Sequence, residues 1–477
     1  VPPEAIIMAK VLPPTRSTTD HTRVENASQI LKRFYVAERT LMRTLAAWFV
    51  GTSQWDLKRQ LSADLWQTAQ HADSLRTRVL ELRYPRRDVD RKYDADVLAV
   101  LAEAAKAADP QEFIAGVYEV LLPALVAGYQ SYLQRADPLD DAPTVYRLRH
   151  LLFDQQTQIE HMQALAARIF PAARSSDSQW QEYLRRWLDS IGGLDGLGPR
   201  TAPPTDHPCA GRPAYTVPRT VQRDARWRPA LFHLPHENKY DKAGIAAWKR
   251  IEALDQRVAM QVWSAISHFN EIWAADVPAS VMWELDQATW DFYLDLARWC
   301  WDETRHSTMG WRALEGWGWD VPDLVPFAYG IYNALGHVPP IQRLALLYFY
   351  EEGLLRAGTK QIEIKILESA QDDGSIQDMD YDWADEAIHV NFGYTWLKHL
   401  LGDDQAGREE LKRLTDEARQ IMADFVLAHK DDPTAQLAPY FERLYPVVAQ
   451  MIRDIPDDQL NVHWAPVVAD EAVLKEL

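Results

Sequence analysis

Cysteine is scarce: Cys209 and Cys300 are the only two in 477 residues. Two thiols build no disulfide framework, and their surroundings match neither a zinc ligand set nor a redox motif. Glycine is sparse too, 20 residues against 28 prolines, and the one Gly-dense string, "GLDGLG" at 193–198, lacks the strand–turn–helix setting of a nucleotide loop. No apolar run approaches the roughly 20 residues that cross a bilayer. The N-terminal "VPPEAIIMAKVLPPTR" has no long apolar core of the kind a secretory signal carries. These absences predict a cytoplasmic protein with no membrane partner. Positive charge is in deficit, with 51 Lys and Arg against 69 Asp and Glu and a formal net charge of −18, which argues against nucleic acid as a partner.

Strand-like alternation is equally rare, and what fills the chain is helical period, with apolar residues every three or four positions. The expected fold is all-α. Four long helical segments occupy residues 25–175, with "GTSQ" at 51–54 and "ADPLDDAP" at 136–143 as turns. Residues 176–243, rich in Pro and Gly, read as a linker. A second set of four helices spans 244–405, with a break expected at "DVPA" (276–279), and accessory helices follow over 406–477. The chain reads as two bundles in tandem.

The chemistry concentrates in two strings, "DETRH" at 302–306 and "DEAIH" at 385–389. Of the 14 histidines, only His306 and His389 have Glu at the third preceding position, Glu303 and Glu386. Residues three apart on a helix point the same way, so each pair can serve one metal. Both pairs continue apolar stripes: Leu285, Phe292, Trp299, Glu303, His306, Gly310 on one helix, and Met379, Trp383, Glu386, His389, Gly393, Trp396 on the other. A carboxylate on an inward face is costly unless it is paired.

Antiparallel helices place residues equidistant from their turn side by side. Around a turn at Val277–Pro278, the residue opposite Glu303 is Glu252, which also lies on its own helix's stripe with Ile245, Trp248 and Ala259. Glu271 is the rival, expected beside the turn next to Glu284. The third helix carries "YFYEEG", where Glu351 continues the stripe Ile341, Leu344, Tyr348, with Glu352 one step round and Glu363 a third candidate. The expected ligands are therefore Glu252, Glu303, His306, Glu351 (with Glu352 as the alternative), Glu386 and His389. Four carboxylates and two neutral imidazoles match two divalent cations, and that donor set suits iron or manganese better than zinc.

The order Glu, Glu-x-x-His, Glu, Glu-x-x-His over four helices resembles the ferritin-like di-iron carboxylate superfamily. "ADEAIHVNFGYTWL" is similar to the last metal helix of small bacterial ferritin-like proteins. The resemblance covers roughly residues 245–402 and implies two iron ions, or a Mn/Fe pair, with O2 as co-substrate. The first half repeats the layout with losses. Glu38 and Glu119 stand for the single glutamates, His71 follows Thr68 instead of Glu, and His161 follows Gln158 instead of Glu, as in a decayed copy.

A fused pair of bundles suits a dedicated enzyme better than a storage shell. The expected activity is a di-iron oxygenase or oxidase acting on a small organic substrate, with an electron donor as partner and homodimer formation open. Trp299, Trp301, Tyr348 and Tyr350 are candidates for the pocket wall. The alternatives are a metal-stabilised scaffold without catalysis, and a ferroxidase or peroxide-detoxifying protein.

Overall fold

The computed structural model describes residues 23–455 apart from 173 and 357, so the end of the expected accessory region lies outside the described residues. The chain is all-α. The N-terminal half comprises α1 (Val24–Gly51), α2 (Trp55–Glu81), α3 (Arg86–Val89), α4 (Ala95–Ala104) and α5 (Pro110–Gly116). It continues through a π turn (Val117–Leu121) into α6 (Leu122–Arg135), followed by α7 (Ala142–Ile169) and α8 (Ser175–Ser190). The continuous helix Pro110–Arg135 has the length and apolarity to cross a membrane, but most of its apolar stretch is buried within the protein.

The second half holds a strand β1 (Pro229–Ala230), α9 (Lys242–Glu252), α10 (Gln256–Asn270), α11 (Ile272–Glu284), α12 (Trp290–Gly316) and α13 (Val321–Leu324). Then come β2 (Phe327–Ala328), α14 (Gly330–Leu335), α15 (Pro340–Arg356), α16 (Thr359–Ala370), α17 (Asp373–Leu401), α18 (Gln405–Ala428) and α19 (Ala438–Asp454). β1 and β2 form a two-residue parallel pairing.

Two departures from the sequence reading decide where the site lies. The expected helix through 252 ends there, because the Asp255 carboxylate accepts from the Arg257 and Val258 amides and starts α10 afresh. The expected break at 276–279 is instead helix: Pro278 sits inside α11. A proline within a helix removes one N–H and crowds the preceding turn. The chain absorbs this with a step at Glu271, between α10 and α11, and the true turn falls at residues 285–289.

Helix α12 packs against α10, α11 and α17, and α15 and α16 pack against α17, so these elements enclose one interior. Two glycines set the spacing. A Cβ on Gly310 would lie 2.2 Å from the Phe269 amide nitrogen, and one on Gly393 would lie 2.6 Å from the Tyr348 ring. Each glycine stands one turn beyond a histidine of the Glu-x-x-His pairs, so the backbones close up at that level.

The halves are joined through the core. Lys58 on α2, Asp276 on α11 and Arg223 from the Pro-rich segment form a buried ion-pair cluster (2.5 and 2.9 Å). Trp55 Nε1 donates to Ser307 Oγ at 3.1 Å, and Arg43 donates to the Met282 and Trp283 carbonyls. The expected linker is thus a packed strap, with Val221, Trp227 and Phe232 in the core.

Candidate metal centre

The Glu-x-x-His pairs of α12 and α17 face each other across the interior, with the His306 and His389 rings 6.0 Å apart. Four overlapping triplets bring donor atoms within 4.8 Å of one another: Glu303–Glu351–His389, Glu271–Glu303–His306, His306–Asp382–Glu386 and His268–Glu271–Asp382. Glu271, Glu303, His306 and Asp382 each belong to two of them, so the triplets form one continuous cluster. His389 Nδ1 lies 3.2 Å from Glu303 Oε1 and 3.5 Å from Glu351 Oε2. His306 Nδ1 lies 3.3 Å from Asp382 Oδ1 and 3.4 Å from Glu271 Oε2. Trp299 Nε1 donates to both Glu303 (3.1 Å) and Glu351 (2.9 Å), fixing the two carboxylates relative to each other.

Five of the residues expected from sequence therefore meet here: Glu303, His306, Glu351, Glu386 and His389. Glu252 does not. It ends α9 on the exposed side, accepting from Trp248 Nε1 at 2.8 Å, and Glu271 occupies the place assigned to it. With the turn at 285–289, Glu271 is the residue equidistant with Glu303, so the rule of antiparallel pairing holds and the turn had been misplaced. Glu352 accepts from Tyr348 Oη at 3.0 Å and joins none of the triplets. Glu363 stands near Lys360 without joining any triplet. Of the four aromatics, Trp299 touches the donors, whereas Trp301 lines a cleft between the halves and Tyr350 lies against Trp273.

Sequence reading also missed members of the cluster. Asp382, one turn before Glu386, is buried and ion-paired with the buried Lys360 at the start of α16. His268 lies 3.8 Å from the same Asp382. Asp302 and Asp385 were in view, each immediately before a Glu-x-x-His glutamate. His389 Nε2 lies 3.3 Å from Asp302, and His306 Nε2 lies 3.3 Å from Asp385, so each helix's aspartate holds the other helix's histidine. A carboxylate on one imidazole nitrogen fixes the ring and leaves the other nitrogen as donor. Arg305 ties the two aspartates together, at 2.7 and 2.9 Å.

The donors fit a metal pair on one direct observation. Six buried side-chain atoms here have no hydrogen-bond partner: Glu271 Oε2, His306 Nδ1, Glu351 Oε2, Asp382 Oδ1, Glu386 Oε2 and His389 Nδ1. Buried polar atoms are ordinarily satisfied, and orphans of this kind call for an ion or water. With Asp382 neutralised by Lys360, the four glutamates carry the charge that two divalent cations would cancel.

Burial, reinforced by Glu386 and Glu303, holds the Glu351 carboxyl well above its usual range, and burial pushes Glu386 up to about 8. Burial would also raise Glu303, but His306 and His389 outweigh it and hold it down at about 2. His389 rises to about 9, because the neighbouring Asp302 and Glu303 carboxylates overcome its burial.

The N-terminal half repeats this lattice. His71 lies 3.5 Å from Glu38 through Nδ1 and 3.3 Å from Asp154 through Nε2, the pattern of His306 with Glu271 and Asp385. Gln158 Nε2 donates to Gln67 Oε1 at 2.9 Å where His389 meets Asp302. Gln158 therefore stands for His389, and Gln155 for Glu386. The expected alignment of Gln158 with Glu386 and of His161 with His389 was displaced by three residues, and His161 is exposed. Glu119 likewise faces outward, bonded to Gln181. Tyr118 points inward and donates to Asp64 at 2.6 Å, in the π turn that alters the helix register. His71 is raised to about 9, since hydrogen bonds to Asp154 and Glu38 outweigh its burial.

A family model described as a protein of unknown function (DUF455) matches residues 220–431, the stretch that carries every donor of the C-terminal cluster. No curated protein and no solved structure matches the chain.

Proposed function

We propose that the chain is a tandem ferritin-like protein whose C-terminal bundle holds two divalent metal ions, iron or a Mn/Fe pair, and activates O2 on a small organic substrate. The observation carrying this reading is the set of six buried side-chain atoms without a hydrogen bond, five of them on the ligands named next and the sixth on Asp382, brought together from the start of α11, α12, α15 and α17. Glu271, Glu303, His306, Glu351, Glu386 and His389 would be the ligands. A bound pair of iron ions supplies the two electrons that O2 activation requires. Asp302 and Asp385 orient the two imidazoles, Trp299 orients Glu303 and Glu351, and the buried Lys360–Asp382 pair holds a proton beside Glu386. The shared lattice around His71 supports reading the N-terminal half as a copy that has lost its metal site.

The test has two parts. Metal analysis of protein produced with iron and manganese should give about two ions per chain, lost in Glu303→Ala and His389→Ala. Unchanged content in both variants would end the metal reading. Oxygen uptake by ferrous-loaded protein, with iron retained afterwards, then supports an oxygenase or oxidase. Turnover of iron into mineral would indicate a ferroxidase. A second reading has its own observation: Glu303 is 1% exposed and both histidines are fully buried, as in a metal-stabilised scaffold. Loaded protein that leaves O2 untouched would select it.

A further inference from the structure

Outside the metal cluster, a cleft of about 650 Å³ lies between the halves, walled by α2, α7 and α12. Its charge opposes that of the chain. Arg59, Arg168, Arg305 and Arg312 line it, against a single carboxylate, Asp56, which pairs with Arg226 at 2.9 Å. Arg305 is engaged by Asp302 and Asp385, and Arg312 by Asp378. Arg59 and Arg168 have no ion-pair partner among the described residues. Arg59 is half-buried with its guanidinium 4.6 Å from the Trp55 ring, and burial disfavours its charge more than Asp56 and Glu315, beyond ion-pair distance, favour it. A partly desolvated guanidinium without a carboxylate presents an open fork for one. Leu165, Trp301 and Met309 give the same cleft an apolar wall.

The structure assigns this cleft as the binding site of a small organic anion, with a carboxylate or phosphate held by Arg59 and Arg168 and an apolar body against Trp301. The volume falls in the range of sites for small molecules, roughly 300–1,000 Å³. The site stands apart from the metal donors but is linked to them. Arg305 forms part of its wall and also bridges the aspartates that hold His306 and His389, so an anion drawing on Arg305 competes with those aspartates. The binding claim itself does not depend on the metal reading.

Calorimetric titration of the full chain with phenyl phosphate, benzoate and inorganic phosphate tests it. One of the two aromatic anions should saturate a single site at millimolar concentration or below, and the tighter one identifies phosphate or carboxylate as the preferred head group. Arg168→Glu and Arg59→Gln should each weaken binding at least about tenfold, the loss of one charge-assisted hydrogen bond. Arg186→Glu, an exposed charge change away from the cleft, should leave binding unchanged. Because Arg168 is exposed, its variant should melt as the wild type does, which separates lost binding from misfolding. Absence of saturation with all three probes would overturn the assignment, as would wild-type binding by both cleft variants. Inorganic phosphate binding as tightly as phenyl phosphate would overturn the apolar part of it.

Discussion

Replacing Glu271 by Gln and, separately, Glu252 by Gln tests the placement of the first ligand. Glu271 presents a buried, unpartnered oxygen 3.4 Å from His306 Nδ1, whereas Glu252 is exposed and bonded to Trp248. Losing even an outer partner of a metal ligand weakens binding about 10- to 100-fold, and losing a charged donor should reach at least the upper value. With free metal about a hundredfold above its Kd, binding stabilises the fold by about 2.7 kcal/mol. A site weakened a hundredfold retains RT ln 2, about 0.4 kcal/mol. Glu271→Gln should therefore forfeit about 2.3 kcal/mol of metal-dependent stabilisation, and Glu252→Gln none. Thermal melts with and without added metal, paired with elemental analysis after dialysis, read this directly. The metal-free Glu271→Gln protein should melt no lower than metal-free wild type, since the substitution removes a charge from a crowded acidic cluster. Full metal retention in Glu271→Gln, or loss in Glu252→Gln, would refute the geometry.

Asp385→Asn should weaken metal binding about 10- to 100-fold while leaving the ligands themselves in place, measured by competition with a chelator; an unchanged affinity would deny Asp385 its orienting role. His71→Ala should leave metal content at the wild-type value, and loss of about one equivalent per chain would reveal a working N-terminal site. Burial raises the Asp64 carboxyl from its ordinary 3.8 to about 7, against the lowering effect of Tyr118 and Gln60. The folded state thus holds a proton that the unfolded chain releases, so this group's contribution to stability falls as pH rises from about 4 to about 7. Asp64→Asn should remove that slope, and its melting temperature should gain on wild type across the same window; parallel pH profiles for the two proteins would contradict this.

Helical period is a local property, and it carried much of the way. The all-α class, the inward faces of α12 and α17, and the joint placement of Glu303, His306, Glu351, Glu386 and His389 were legible because residues three and four apart share a face whatever surrounds them. Asp302 and Asp385 stand before both glutamates in the sequence, but period alone gave them no partner; the facing of α12 and α17 brings each to the other helix's histidine. Glu271 was not legible, because its selection depended on whether Pro278 ended a helix or was absorbed into one, and packing on α1, α12 and α15 decides that. Lys360, Asp382 and His268 come together from three helices with no shared motif, so only their packing makes them neighbours. In the N-terminal half, a π turn and the pairing of α2 with α7 set the register that brings Gln158 to Gln67 and turns Glu119 out to solvent. Period tells which face of a helix is inward; which residue on another helix it meets is set by turns, steps and close approaches that act across the whole fold.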